Sequence, residues 1–280
     1  MGGSPNVCLT LSNQPDNVVL VRAALSGMAE TVGVDDVDLN DIRTAVTEAC
    51  NNVVLHAYEG EEGPLQLEVY LDASTVEVVV RDHGTGIKPH IRSEDEEALG
   101  IGLSIIQALA PRVEFRDVAG GGTEVRMEFA TPHTASLDEL ERNGFEPPDV
   151  ARNDLATTTG LAVAPIALAR KVLPRVMCVL AARAHFTTDR ISDAELVADA
   201  LVAQAAERDD LAHLKMSVSV EPRSLELRVR PRADGKQVGG ATGAPREPVL
   251  GPVIEKLTDE RHCLTDGDAE VLALRLRDKR

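Results

Sequence analysis

Two stretches of this chain, LQLEVYLDASTVEVVVRD at 65–82 and LKMSVSVEPRSLELRVRP at 214–231, have the same length and the same pattern. Each alternates apolar and polar residues, turns, and alternates again, which predicts an antiparallel hairpin with one buried face. An isolated hairpin is at best marginal in water, so each needs a covering layer. The segments upstream match too. PDNVVLVRAALSGMAETVGVDDVDLNDIRTAVTEACNN from Pro15 lies on PIALARKVLPRVMCVLAARAHFTTDRISDAELVADALVAQ from Pro165, with Asp41 on Asp193, each opening a helix. TEVRMEF (123–129) lies on AEVLALR (269–275). We read the second half as a diverged copy of the first: domains at 1–130 and 161–280, joined by a linker at 131–160.

Within the first half the order is legible. NVCLTLS (6–12) is a short strand, and a helix runs from Asp16 or Asn17 to about Gly33. A second helix starts at Asp38 or Asn40 and continues through Tyr58, followed by the turn GEEGP (60–64). After the hairpin comes a loop of Gly, Pro and charge (83–98), a helix from Gly100 to about Leu109, and strands at 113–118 and 123–129. Helices and strands are grouped without βαβ repetition. That predicts an α+β fold, a two-layer α/β sandwich with helices over one face of a mixed sheet. The linker holds Pro132, Pro147, Pro148 and a Thr-Thr-Thr-Gly run, with a short helix expected near Leu137–Arg142.

Composition narrows the functional classes. Only 2% of residues are aromatic, so the cores are built from Ala, Val, Leu and Ile. A net charge of −17 argues against nonspecific binding to nucleic acid or to an anionic membrane. Residues 1–130 hold 8 Lys and Arg against 22 Asp and Glu, whereas 161–280 hold 19 against 18. The halves therefore present different surfaces. Cys8, Cys50, Cys178 and Cys263 lie far apart without CxxC spacing. With no apolar membrane-length run and no signal-peptide pattern, reduced thiols and a cytoplasmic location are expected.

Four short motifs carry chemistry. VTEACNNVVLHAY (46–58) sets Glu48 and Asn52 four residues apart, hence on one helix face, beside an apolar stripe. DHGTGI (82–87) puts Asp82 at a strand exit before Gly84 and Gly86. The carboxylate can accept from an exocyclic amine, and the glycines permit a close backbone approach to a planar ligand. LGIGLSII (99–106) sets Gly100 and Gly102 just before a helix, where free N–H groups favour phosphate. GGGTEV (120–125) puts the Thr123 hydroxyl at a strand start.

In this order and spacing the motifs resemble the GHKL ATPase superfamily, and EACNNVVLHAYEG resembles its anti-sigma factor serine/threonine kinases. The resemblance covers residues 6–130. It implies ATP or ADP with Mg²⁺ as cofactors. Glu48 is then the general base and Asn52 the Mg²⁺ ligand. Asp82 reads adenine N6, with Gly84, Gly86 and Ile87 beside the base. Gly100, Ile101, Gly102 and Leu103 lie along the phosphates, and Thr123 supports the base side. Residues 88–98 are expected as a lid over the nucleotide, and His56 as a packing residue at the helix end.

The second copy lacks these groups. Glu48 falls on Ala200, Asn52 on Gln204 and Thr123 on Ala269; DxGxG becomes RPRADG, and the paired glycines reduce to Gly251. The expected function is an anti-sigma factor kinase that binds a sigma factor and phosphorylates a Ser of a STAS-type partner. Its second half would serve as a degenerate copy in an intramolecular pseudo-dimer. The alternatives are a non-catalytic, ATP-switched regulatory protein and a detached histidine-kinase-like ATPase.

Overall fold

Strand β1 (Val7–Ser12) is buried along its whole length, on both faces. Val7, Leu9 and Leu11 enter the main apolar core, while Cys8 packs with Ala162 and Ala164 in a small separate cluster. The computed structural model describes residues 4–72, 74–85, 95–131, 148, 150–151, 154–207, 213–230, 251–266 and 269–279. After β1 come α1 (Val18–Val32), α2 (Asp36–Asn52), β2 (Pro64–Asp72), β3 (Thr75–Asp82), α3 (Asp95–Leu109), β4 (Arg112–Asp117) and β5 (Thr123–Ala130). The second half follows with β6 (Thr158–Val163), α4 (Ile166–Arg183), α5 (Thr188–Ala206), β7 (Leu214–Glu221), β8 (Ser224–Arg230), α6 (Pro252–Leu257), β9 (Glu260–Asp266) and β10 (Ala269–Arg277).

The strands form one ten-stranded sheet in the order β4-β5-β3-β2-β1-β6-β7-β8-β10-β9. Every neighbouring pair is antiparallel, which corrects the expectation of a mixed sheet. The connections explain this. Helices α1 and α2 carry the chain down and back, so β2 starts at the end where β1 stopped. In the hairpin, Leu65 pairs with Asp82 and Asp72 with Thr75. Leu65, Leu67, Val69 and Leu71 are buried, as their alternation predicts. The opposite face carries ion pairs instead, among them Arg81–Glu124 at 2.6 Å and Arg81–Glu68 at 3.4 Å.

The halves meet at β1 and β6, paired from Val7↔Val163 to Thr10↔Gly160. Asn6 fastens the end of this seam. Its side chain donates to the Ala164 carbonyl at 3.1 Å and accepts the Leu71 N–H at 2.8 Å. Above the strands, α1 packs antiparallel on α4: Glu30 pairs with Lys171 (2.8 Å) and with Arg175, while Arg183 donates to Asn17. On the outer face, the Thr10 hydroxyl donates to the Pro148 carbonyl at 3.1 Å, and Pro148 and Val150 lie against Gly160.

Some boundaries differ from the sequence reading. Asp35 caps α2 by accepting from Val37 and Asp38 N–H, each at 2.9 Å, so the helix begins before Asp38. Asp41 and Asp193 do not open helices; each is the sixth residue of its own. β6 starts at Thr158, inside the stretch read as linker. The expected helix at 137–142 lies outside the described residues. Among the described residues no helix is long and apolar enough to cross a membrane.

Candidate functional site

Helix α2 presents Glu48 and Asn52 one turn apart, both half-buried. Helix α3 passes close over them at Gly102. A Cβ there would lie 3.3 Å from Glu48 Oε2 and 3.5 Å from Asn52 Oδ1. The glycine therefore leaves open space beside a carboxylate and a carboxamide. A Cβ at 102 would crowd Glu48, which would have to give by a few tenths of an ångström, and would rest in ordinary contact with Asn52.

Gly100 and Gly102 do not open α3, which corrects their expected position. The helix begins at Asp95, and the glycines are its sixth and eighth residues. The run DEEAL (95–99) accounts for this: good helix formers, with acidic residues at the positive end of the helix dipole. Ile101 is 63% exposed and Leu103 half-buried.

A π-turn (Val53–Ala57) continues α2, a local widening frequent at functional sites. It ends with the Ala57 carbonyl accepting the Thr85 N–H at 2.9 Å. Gly84 lies beneath that carbonyl, where a Cβ would sit 2.6 Å from the Ala57 carbonyl carbon. From the other side Gly122, at φ +106°, packs on the backbone of Asp82 and His83. Only glycine is comfortable at that φ and that separation. His56 is half-buried within the π-turn.

Asp82 itself is 3% exposed. It accepts the Gly84 N–H at 2.8 Å, and the nearby N–H and hydroxyl of Thr123 also favour its charged form. Burial pushes its carboxyl above the usual carboxylate range, against the lowering effect of those groups. Gly86, Ile87 and residues 88–94 of the expected lid lie outside the described residues; 95–98 are part of α3. Thus Glu48, Asn52 and Gly102 are gathered at one place, and Asp82, Gly84 and Thr123 at another joined to it through the end of α2. Among the described residues no group of three or more His, Cys, Asp or Glu could hold a metal ion.

The family model for the histidine kinase-like ATPase domain matches residues 11–129. Serine-protein kinase RsbW of Halalkalibacterium halodurans is 33% identical over 127 residues, covering 40% of this chain and 76% of that protein. The chain belongs to the histidine kinase-like ATPase family. Its branch is that of the GHKL anti-sigma kinases. Anti-sigma F factor of Thermoanaerobacter sp. is 26% identical over 127 residues, covering 42% of this chain and 89% of the relative. A crystal structure of the RsbU and RsbW domains of Rv1364c from Mycobacterium tuberculosis matches at 21% identity and a TM-score of 0.35. It covers 46% of this chain and 32% of that one.

For a histidine kinase-like ATPase the sequence motifs thus lead to a small number of contacts. Some of those contacts were not legible beforehand. The GGG run serves in the sequence reading only to place Thr123 at a strand start, yet Gly121 and Gly122 pack on Gly84 and Asp82. Tyr58 was read only as a helix end, although its hydroxyl accepts the His83 N–H at 2.8 Å. Three consecutive glycines beside a strand start were the available signal for the first. The second had none beyond the residue type.

Proposed function

We propose that residues 1–130 form an ATP-dependent serine/threonine-protein kinase and anti-sigma factor. It binds a sigma factor and phosphorylates a serine of a STAS-type anti-anti-sigma partner. One observation carries this reading above the others: Gly102 leaves room beside Glu48 and Asn52, a cradle that a Cβ would fill. Relatives named serine-protein kinase RsbW and anti-sigma F factor support it. So does the buried Asp82 carboxyl, whose environment suits a hydrogen-bond acceptor for an adenine amine.

In this reading Glu48 takes the proton of the serine hydroxyl as that oxygen bonds to the γ-phosphorus. The bond from phosphorus to the bridging oxygen breaks, and ADP departs. Mg²⁺, when bound, supplies charge neutralisation along the phosphates, and the hard amide oxygen of Asn52 would hold it. Gly100, Ile101, Gly102 and Leu103 line the phosphate side. Gly84, Gly86 and Ile87 flank the base, and Thr123 steadies Asp82.

We further infer that residues 161–280 are a degenerate copy docked as a pseudo-dimer partner, giving one nucleotide site per chain. The element order β-α-α-β-β-α-β-β, which recurs after the linker, supports this. So does the strand order, in which the second half mirrors the first about the β1–β6 seam. Calorimetric titration with Mg-ATP tests it: one site per chain is expected, lost or weakened in Asn52→Ala. Two equivalent sites would contradict it.

A further inference from the structure

We propose that Tyr58 is a positioning residue for the adenine side of this site, acting through its hydroxyl on the strand exit that carries Asp82. The proposal rests on the nucleotide reading above. The β2–β3 ladder ends at the pair Leu65↔Asp82. The next rung would join Pro64 to His83, and there the Tyr58 hydroxyl stands between the strands. It donates to the Pro64 carbonyl at 2.5 Å and accepts the His83 N–H at 2.8 Å. An inserted hydroxyl holds the strands about one oxygen wider than a direct N–H···O bond would. β3 therefore parts from β2 immediately after Asp82, where the chain must turn toward Gly84.

The tyrosine has a fitted seat. A Cβ on Gly63 would fall 2.1 Å from Cε1 of the Tyr58 ring, so the GEEGP turn needs its second glycine to admit the ring. Gly63 is itself fastened to the end of β1: its N–H donates to Asn13 Oδ1 at 2.9 Å, and its carbonyl accepts the Asn13 N–H at 2.9 Å. Tyr58 is 9% exposed and follows the π-turn directly. Two residues beyond Asp82 are thus tied to the end of α2, His83 through the Tyr58 hydroxyl and Thr85 through the Ala57 carbonyl. That same helix carries Glu48 and Asn52. Tyr58 sets where the base-reading carboxylate sits relative to the catalytic helix.

Tyr58→Phe keeps the ring in its seat and removes the hydroxyl that makes the bridge. Affinities for ATP and GTP, the thermal midpoint and amide exchange at His83 would be measured in wild type and variant. A neutral hydrogen bond is worth about 0.5–1.5 kcal/mol, so the preference for ATP over GTP should fall by a factor of about 2 to 13. Amide exchange at His83 should accelerate. An unchanged ATP-over-GTP preference, or equal weakening of both nucleotides, would overturn the positioning role. A wild-type protein that binds no ATP, or an Asp82→Asn variant that binds it normally, would instead overturn the nucleotide reading, and this proposal with it. Should Tyr58→Phe fail to fold, exchange in the wild type decides. The His83 side chain is exposed, so slow exchange of its amide supports the bridge and fast exchange refutes it.

Discussion

Gly27 of α1 lies against the backbone of Lys171 of α4. A Cβ on the glycine would fall 2.7 Å from Cα of Val172 and closer still to the Lys171 carbonyl. The two helices therefore approach to backbone contact directly above the β1–β6 pairing. The ion pairs around this crossing are exposed and contribute little by themselves. Close packing does the holding.

Gly27→Val should force the helices apart. Overpacking of this kind costs about 1–3 kcal/mol, a fall of roughly 2–5 °C in the thermal midpoint of a chain this size. An unchanged melt would mean that α1 and α4 are not in contact in solution.

Buried Asp82 opposes stability, and in the proposed function it serves binding. Its carboxyl titrates above the ordinary value of 3.8 because it is buried. The folded chain therefore binds that proton more tightly than the unfolded chain, and stability declines as pH rises from 3.8 through the raised value. Asp82→Asn should remove this decline, leaving the nucleotide-free protein at least as stable at neutral pH. The same variant should bind ATP about tenfold or more weakly, through loss of a hydrogen bond to a charged group. Melts from about pH 4 to about pH 7, paired with calorimetric titration, test both halves. A less stable variant with normal ATP affinity would contradict both.

The thiols should separate by burial. Cys8 and Cys50 are buried; burial raises both, Cys50 to about 12. Cys178 is raised to about 11, first by burial and then by Glu195. A native-state thiol titration at neutral pH should leave Cys8 and Cys50 unmodified until denaturant is added. Rapid modification of all four would show the β1–β6 seam and the α2 core to be open.

The hairpin at 65–82 was legible because alternation and a tight turn act locally, and its register follows from them. The motif residues were legible as a set because their chemistry is written in residue type and spacing. Other features depend on partners distant in sequence. Thr158–Gly160 reads as the end of a linker but opens a strand because β1 and β7 flank it and Pro148 and Val150 cover it. The π-turn at Val53–Ala57 ends in a carbonyl held by Thr85, 28 residues away in sequence. The early start of α3 reflects helix propensity at 95–99, whereas the glycine pair by itself reads as a helix opening.

The central claim is that Glu48 serves phosphoryl transfer to a serine, and γ-³²P-labelled ATP measures it most directly. Wild-type protein and Glu48→Gln would be incubated with a fractionated extract of the native cell, and ATP affinity recorded alongside. The account predicts acid-stable phosphoserine on a partner protein with the wild type. With Glu48→Gln transfer should be slower by about 10²–10⁴ while ATP affinity is kept. Transfer by Glu48→Gln at the wild-type rate, or an acid-labile product, would contradict it.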